Sequence, residues 1–163
     1  VLIPEERRKQ GLVMNLSIRQ NASLTKLKRF SKAGFMNKSK EVESAEKLRE
    51  ELQLSCPGIE SPAGALSGGN QQKVIVARWL AKGIRMMIFD EPTRGIDVGS
   101  KYEIYQIMHE LLEQNVTIIM ISSDLPEILG MSDRILVMSK GRITAELTRE
   151  EATQEKIAHY SLG

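Results

Sequence analysis

LSGGNQQK, Leu66 through Lys73, is the stretch on which the reading of this chain turns. A glycine pair, Gly68 and Gly69, runs straight into a helical pattern with Val74, Ala77, Leu80 and Ala81 along one side and Gly83 as its C-cap. Without Cβ atoms the two glycines are free to take φ > 0 and to let another group approach the backbone. The helix behind them offers unbonded N–H groups and about +0.5 of an elementary charge, a setting that favours an anion. Ser67 brings a hydroxyl that either caps the helix or reaches a ligand oxygen. Taken alone, Ser-Gly-Gly before a helix equally fits a plain turn and cap.

The residues that follow give this loop a context. Met86-Met87-Ile88-Phe89 is a short apolar run that reads as a buried strand, and it ends at Asp90-Glu91-Pro92. Adjacent carboxylates at the C-terminal end of a strand lie where open α/β sheets place their ligands. Because side chains alternate along a strand, one carboxylate is expected to serve a Mg²⁺ shell while its neighbour polarises a water.

With LSGGNQQK and IFDEP in this order and spacing, the chain resembles the nucleotide-binding domain of ABC-transporter ATPases. The resemblance implies an α/β fold, a mainly parallel sheet flanked by helices with an inserted helical subdomain at 12–65 and the signature, Walker B, D-loop, switch and C-terminal parts at 66–163. It makes Asp90 the magnesium-side carboxylate, Glu91 the catalytic base, and residues 93–97 a D-loop whose Asp97 faces an opposing domain. It also makes Ser67, Gly68, Gly69 and Gln71 contacts to the nucleotide held by that partner. ATP and Mg²⁺ are the cofactors implied.

Two positions depart from the family pattern. PEERRKQGL, residues 4–12, resembles the matching stretch in the second ATPase half of bacterial monosaccharide importers, with Glu5 where most such domains carry the Q-loop glutamine. Read simply as charges, the same residues fit a solvated loop. Ser123 stands where the family usually has a switch histidine; serine donates one hydrogen bond but carries no imidazolium charge, and loss of such a transition-state contact costs about 10²–10³ in turnover.

Bulk properties are compatible with this picture. The chain has 163 residues, 41% of them hydrophobic, with 23 basic against 21 acidic residues. That is enough to bury one core, and a net charge of +2 points to no polyanionic partner. The single cysteine, Cys56, has no internal disulfide partner and no local support as a nucleophile; it reads as a small, partly buried apolar residue. No apolar run reaches the length of a membrane span. The phosphate-cradling pattern GxxxxGK[ST] is absent, and Asn37-Lys38-Ser39 lacks the glycines it requires. Val1 to Ile3 reads as the tail of a strand, so the expectation is a fragment whose cradle lies upstream, with residues 161–163 resembling a natural end.

The remaining segments fill in the frame. Residues 16–35 read as an amphipathic helix, with Lys26, Lys28, Arg29, Lys32, Lys38 and Lys40 in a run free of acids. Such a run is a solvated face or, by the resemblance, a surface docking on a membrane permease; with only Phe30 and Phe35 as aromatics, nucleic acid is not expected. Residues 41–54 form a second helix that stops at Cys56-Pro57-Gly58, and residues 98–114 a third, with Ile104, Ile107, Met108, Leu111 and Leu112 inward. His109 lacks a second ligand at metal spacing. A buried strand over 116–121, a hairpin over 133–147 closing the sheet, and a final helix from Thr148, with Glu151 in capping-box spacing, complete the chain. The partners implied are a second ATPase domain (a fused N-terminal half or another copy), a permease, and a sugar-binding protein reached through it, at the cytoplasmic face of the inner membrane. The alternative is a non-catalytic interaction module.

Overall fold

A two-residue strand, β1 (Leu2–Ile3), opens the chain in the computed structural model, which describes residues 1–32, 34–80 and 83–162. Where a solvated loop was one reading, Arg7–Gly11 instead forms a π-helical turn closed by the Leu12 amide donating to the Arg7 carbonyl at 2.8 Å. Gly11 is needed there, because a Cβ on it would lie 2.5 Å from Ile75 Cδ1.

The single helix expected over 16–35 is broken. It comprises α1 (Ile18–Ser23), a 3₁₀ turn (Leu24–Lys26), α2 (Leu27–Phe30) and a hairpin of β2 (Ser31–Lys32) with β3 (Phe35–Met36). Ser17 and Gln20 form the capping box that starts α1. Competing side-chain bonds then hold the irregular geometry: Asn21, fully buried, donates to the carbonyls of Val13, Leu16 and Ser17 and accepts from the Val13 amide. Lys26 is buried, so it does not belong to the exposed basic face.

α3 (Lys38–Glu51) starts earlier than periodicity indicates because Asn37 accepts from the Lys40 amide as N-cap. Its buried face carries Ala45, Leu48 and also Glu41, whose carboxylate pairs with Arg19 of α1 and accepts from Ser23 Oγ at 2.5 Å. Arg19 is completed by Glu60, with Nε donating to Oε1 at 2.7 Å. After a 3₁₀ turn (Ala63–Ala65) comes α4 (Gly68–Leu80). Its C-terminal side is bound to the α1 region by Arg78, which donates to the Gly11 carbonyl at 2.6 Å and to Asn21 Oδ1 at 2.9 Å. Burial pushes the Arg78 pKa down. Ala81, assigned by sequence to the inner face of this helix, lies outside the described residues; Gly83 is at φ +62°.

β4 (Met86–Asp90) pairs in parallel with β1, Ile3 opposite Phe89. α5 (Val98–Glu113) and β5 (Thr117–Ile121) follow, and the sheet order is β1-β4-β5. Neither β4 nor β5 is buried throughout: Met86 is 46% exposed and Ile121 50% exposed, while Met87 and Phe89 are fully buried. Leu112 is likewise exposed rather than inward. Ile3, Ile75, Val76, Met87, Phe89, Ile104 and Leu111 form the interior, each contributing about 1.5–3 kcal/mol of burial.

The chain divides into two compact units, one ending at Ile119 and one beginning at Met120. The second contains α6 (Leu125–Met131), β6 (Arg134–Ser139), β7 (Arg142–Thr148) and α7 (Gln154–Leu162). The hairpin turns at Lys140-Gly141, both at positive φ, as a type I′ turn demands. Rather than closing the main sheet, β6 and β7 make their own two-stranded sheet, packed on Ile157 of α7. Thr148 and Glu151 do bond, with Oε2 accepting from the Thr148 amide at 3.0 Å, but they close a turn after β7; α7 starts six residues later than Thr148, with Thr153 accepting from the Lys156 amide.

Candidate functional site

Parallel strands leave a sheet at the same end, so the exits of β1 and β4 lie side by side. The first carries Glu5 and Arg7; the second carries Asp90 and Glu91. Asp90 is the last residue of β4 and is partly exposed. Glu91 is outside the strand, at φ +46°. Strand alternation therefore does not set its direction; a left-handed turn does, at a cost of about 1–2 kcal/mol for a residue with a Cβ. That turn continues through Arg94, whose amide donates to the Glu91 carbonyl, and Ile96, whose amide donates to Thr93. Pro92 and Thr93 are buried beneath it.

The turn ends at Asp97, the N-cap of α5, which accepts from the Ser100 amide at 3.0 Å and from Ser100 Oγ at 2.7 Å. These bonds hold its carboxyl below the ordinary value. Asp97 is exposed, but both of its oxygens are engaged by its own helix.

Against this turn packs the start of α4. Gly68 and Gly69 are not among the residues at positive φ. They serve close approach instead: a Cβ on Gly68 would meet Ile96 Cγ2 at 3.0 Å and Arg7 Nη2 at 3.1 Å, and one on Gly69 would meet Ser100 Cβ and Oγ at 2.6 Å. The group approaching the glycines is thus the chain's own D-loop and α5. Ser67 caps the helix, its Oγ accepting from the Asn70 amide at 3.4 Å and Nδ2 at 2.9 Å. With its oxygen so occupied, the exposed Ser67 hydroxyl has its proton to donate outward, beside the first-turn amides of Gly68 and Gly69, which have no helical acceptor.

Gln71 is fully buried and donates to the Leu66 carbonyl at 3.0 Å. That bond ties its side chain to the backbone just before Ser67. Glu5 is committed as well: its carboxylate pairs with Arg94. Arg7, which no motif reading picks out, donates to the Arg94 carbonyl at 2.8 Å. Burial, with the charge of Arg8 beside it, pushes the Arg7 pKa down.

In the second unit Ser123 is exposed. Its neighbours fix the backbone around it: Ser122 Oγ donates to the buried Glu127 at 2.5 Å and accepts from the Asp124 amide at 3.0 Å, and Asp124 caps α6.

A sheet with carboxylates at a strand end, beside a glycine-headed helix packed on the turn that follows them, defines a piece of an ATP-binding cassette of the P-loop NTPase class. The ABC transporter family matches residues 3–94, more than half of the chain, and the chain belongs to that family. It is 55% identical over 161 residues to the ribose import ATP-binding protein RbsA of Oceanobacillus iheyensis and 51% identical over 161 residues to the xylose import ATP-binding protein XylG of Geobacillus kaustophilus. In both cases 99% of this chain is covered but 32% of the relative, so the chain spans about a third of the length of the curated relatives it matches. Among solved structures, an ATP-binding cassette of an ABC transporter matches at TM-score 0.77 and 26% identity over 98% of this chain and 67% of that one. A dimeric cassette in a post-hydrolysis state with ADP and Pi matches at TM-score 0.72 and 23% identity, over 91% of this chain and 62% of that one, and speaks for the fold alone.

Proposed function

We propose that the whole protein is the ATP-binding and ATP-hydrolysing subunit of a bacterial ABC importer, coupling MgATP hydrolysis to monosaccharide uptake. The observation carrying the catalytic part is Glu91, held in a left-handed turn directly after Asp90 at the end of β4. The names of the ribose and xylose import relatives support the substrate class.

Asp90 is the residue that holds Mg²⁺. Among the described residues no group of three or more His, Cys, Asp or Glu could hold a metal. That fits an ion bound through one or two carboxylates, with phosphate and water oxygens filling its shell. Bound MgATP supplies the phosphoryl group and the charge neutralisation. Glu91 orients and deprotonates the attacking water, and Ser123 donates a hydrogen bond on its own side. Ser67, with the amides of Gly68 and Gly69, donates to the phosphates of a nucleotide on a second ATPase domain, whether a fused N-terminal half or another copy. Asp97 meets that domain by its exposed edge. Residues 12–65 form the helical subdomain that docks on a permease, which in turn receives sugar from a binding protein; nucleic acid has no part. The subunit sits peripherally at the cytoplasmic face of the inner membrane, and among the described residues no helix is long and apolar enough to cross one.

Measuring MgATP binding and hydrolysis by the full-length protein beside this chain tests the reading. Turnover in the full-length protein is expected, falling by about 10² or more in Glu91→Gln, as for loss of a general base. Silence of the full-length protein in the presence of its permease refutes it. One observation favours a second reading, a non-catalytic module that completes a partner's site: the Glu5 carboxylate is bound to Arg94 rather than free for a metal shell.

A further inference from the structure

We propose that Arg7 is a positioning residue that locks the turn at 93–97 to the glycine-headed start of α4, so that the two present one rigid surface. The kinetic consequence rests on the ATPase reading above; the mechanical one does not.

The geometry is a clamp with two jaws. Arg7 Nη1 donates to the Arg94 carbonyl at 2.8 Å, while Glu5, two residues earlier, takes the Arg94 guanidinium. One residue of the turn is thereby held at both its main chain and its side chain by a segment that leaves the sheet next to it. Arg7 Nη2 lies between two glycines from different motifs, 3.1 Å from where a Cβ of Gly68 would stand and 3.8 Å from where one of Gly95 would stand. Gly95 is at φ +67°, a conformation that glycine takes without strain.

Apart from the Glu5 pair and the Asp97 cap, the turn is held by long bonds of its own. Its internal bonds, Arg94 to Glu91 and Ile96 to Thr93, are 3.2 and 3.4 Å long. A charge-assisted bond from a planar guanidinium is about twice as strong as such neutral ones. Withdrawing a guanidinium from water is unfavourable, so its partial burial at this junction marks a contact that the neighbouring carbonyl must offset.

The experiment uses the full-length protein and two readouts: amide hydrogen exchange over residues 93–97, and kcat and KM for MgATP. Arg7→Met is expected to raise exchange at the Arg94 and Ile96 amides at least about fivefold and to lower kcat about tenfold, the equivalent of one such bond, with KM within about twofold. Arg7→Lys, which can still donate one bond to the carbonyl, recovers part of both. Glu5→Gln, a milder change, raises exchange in the same segment. Unchanged exchange in a folded Arg7→Met protein overturns the clamp. Raised exchange with unchanged kcat overturns its coupling to turnover, as does an equal loss in Arg7→Lys and Arg7→Met accompanied by a common fall in melting temperature. A Glu91→Gln protein that still turns over refutes the ATPase reading instead, and the exchange measurement then decides the clamp by itself.

Discussion

Replacing Gly69 by alanine distinguishes a glycine kept for packing from one kept for backbone freedom. The added Cβ would lie 2.6 Å from both Cβ and Oγ of Ser100, roughly 0.9 Å inside the separation of about 3.5 Å at which carbon atoms attract. Turning the hydroxyl away gives no relief, because Ser100 Cβ is fixed to the backbone of α5, and the two helices must part. Overpacking of this kind costs about 1–3 kcal/mol, while alanine in a helix returns about 0.5–1. The net expectation is a destabilisation of about 1–2 kcal/mol, or about 2–8 °C in melting temperature for a domain of this size. Urea unfolding of Gly69→Ala, Ser100→Gly and the double variant measures it. Ser100→Gly alone destabilises, since it removes the hydroxyl that donates to Asp97 and places a glycine in α5. In the Gly69→Ala background it also removes the clash, so the cycle should show a favourable coupling of about 1 kcal/mol or more. Strictly additive effects, or a Gly69→Ala protein more stable than the parent, would refute the packing account.

Three further outcomes follow from the polar contacts. Asn21→Leu should destabilise by about 2–4 kcal/mol, because three backbone carbonyls and the Val13 amide lose their partner in a fully buried place; chemical denaturation reads it. Glu41→Ala should cost about 2 kcal/mol, because Arg19 Nη1 and Ser23 Oγ lose their acceptor in a buried place, whereas Glu60→Ala, at the exposed end of the same arginine, should cost less than about 1; comparable losses would contradict the burial difference. The bonds from Ser100 hold the Asp97 carboxyl below the ordinary carboxylate value. Its cap is therefore complete above that value and lost as pH falls below it, and exchange at the Ser100 amide should rise there in the parent but not in Asp97→Asn.

The features legible in sequence were those set by local chemistry. The strand ending at Asp90-Glu91, the helix after the glycine pair with its Ser67 cap, and the Lys140-Gly141 turn all announce themselves through residues adjacent in the chain. The misreadings share a cause in contacts between distant residues. Residues 16–35 have helical periodicity, but Asn21 spends its side chain on carbonyls 4 to 8 residues back, and the run passes into a 3₁₀ turn at Leu24 and a strand at Ser31. Nothing adjacent in the chain announces that Gln71 is fully buried and bonded to the Leu66 carbonyl. Arg7 has no motif of its own; its partner Arg94 is 87 residues away, and only the parallel pairing of β1 with β4 joins them.

The close fit of Gly68 against Ile96, and of Gly69 against Ser100, bears on how such chains are sorted into working and silent copies. A cassette that had lost its chemistry altogether would still be more stable with glycine than with alanine at 69, where Ser100 leaves no room for a Cβ, and would keep the tight fit of Gly68 on Ile96. An intact glycine pair is accordingly a mark of architecture, shared by active and inactive copies alike. Under the proposed ATPase function, the Glu91 carboxylate, which takes no part in that fit, is the group whose drift would register a loss of activity.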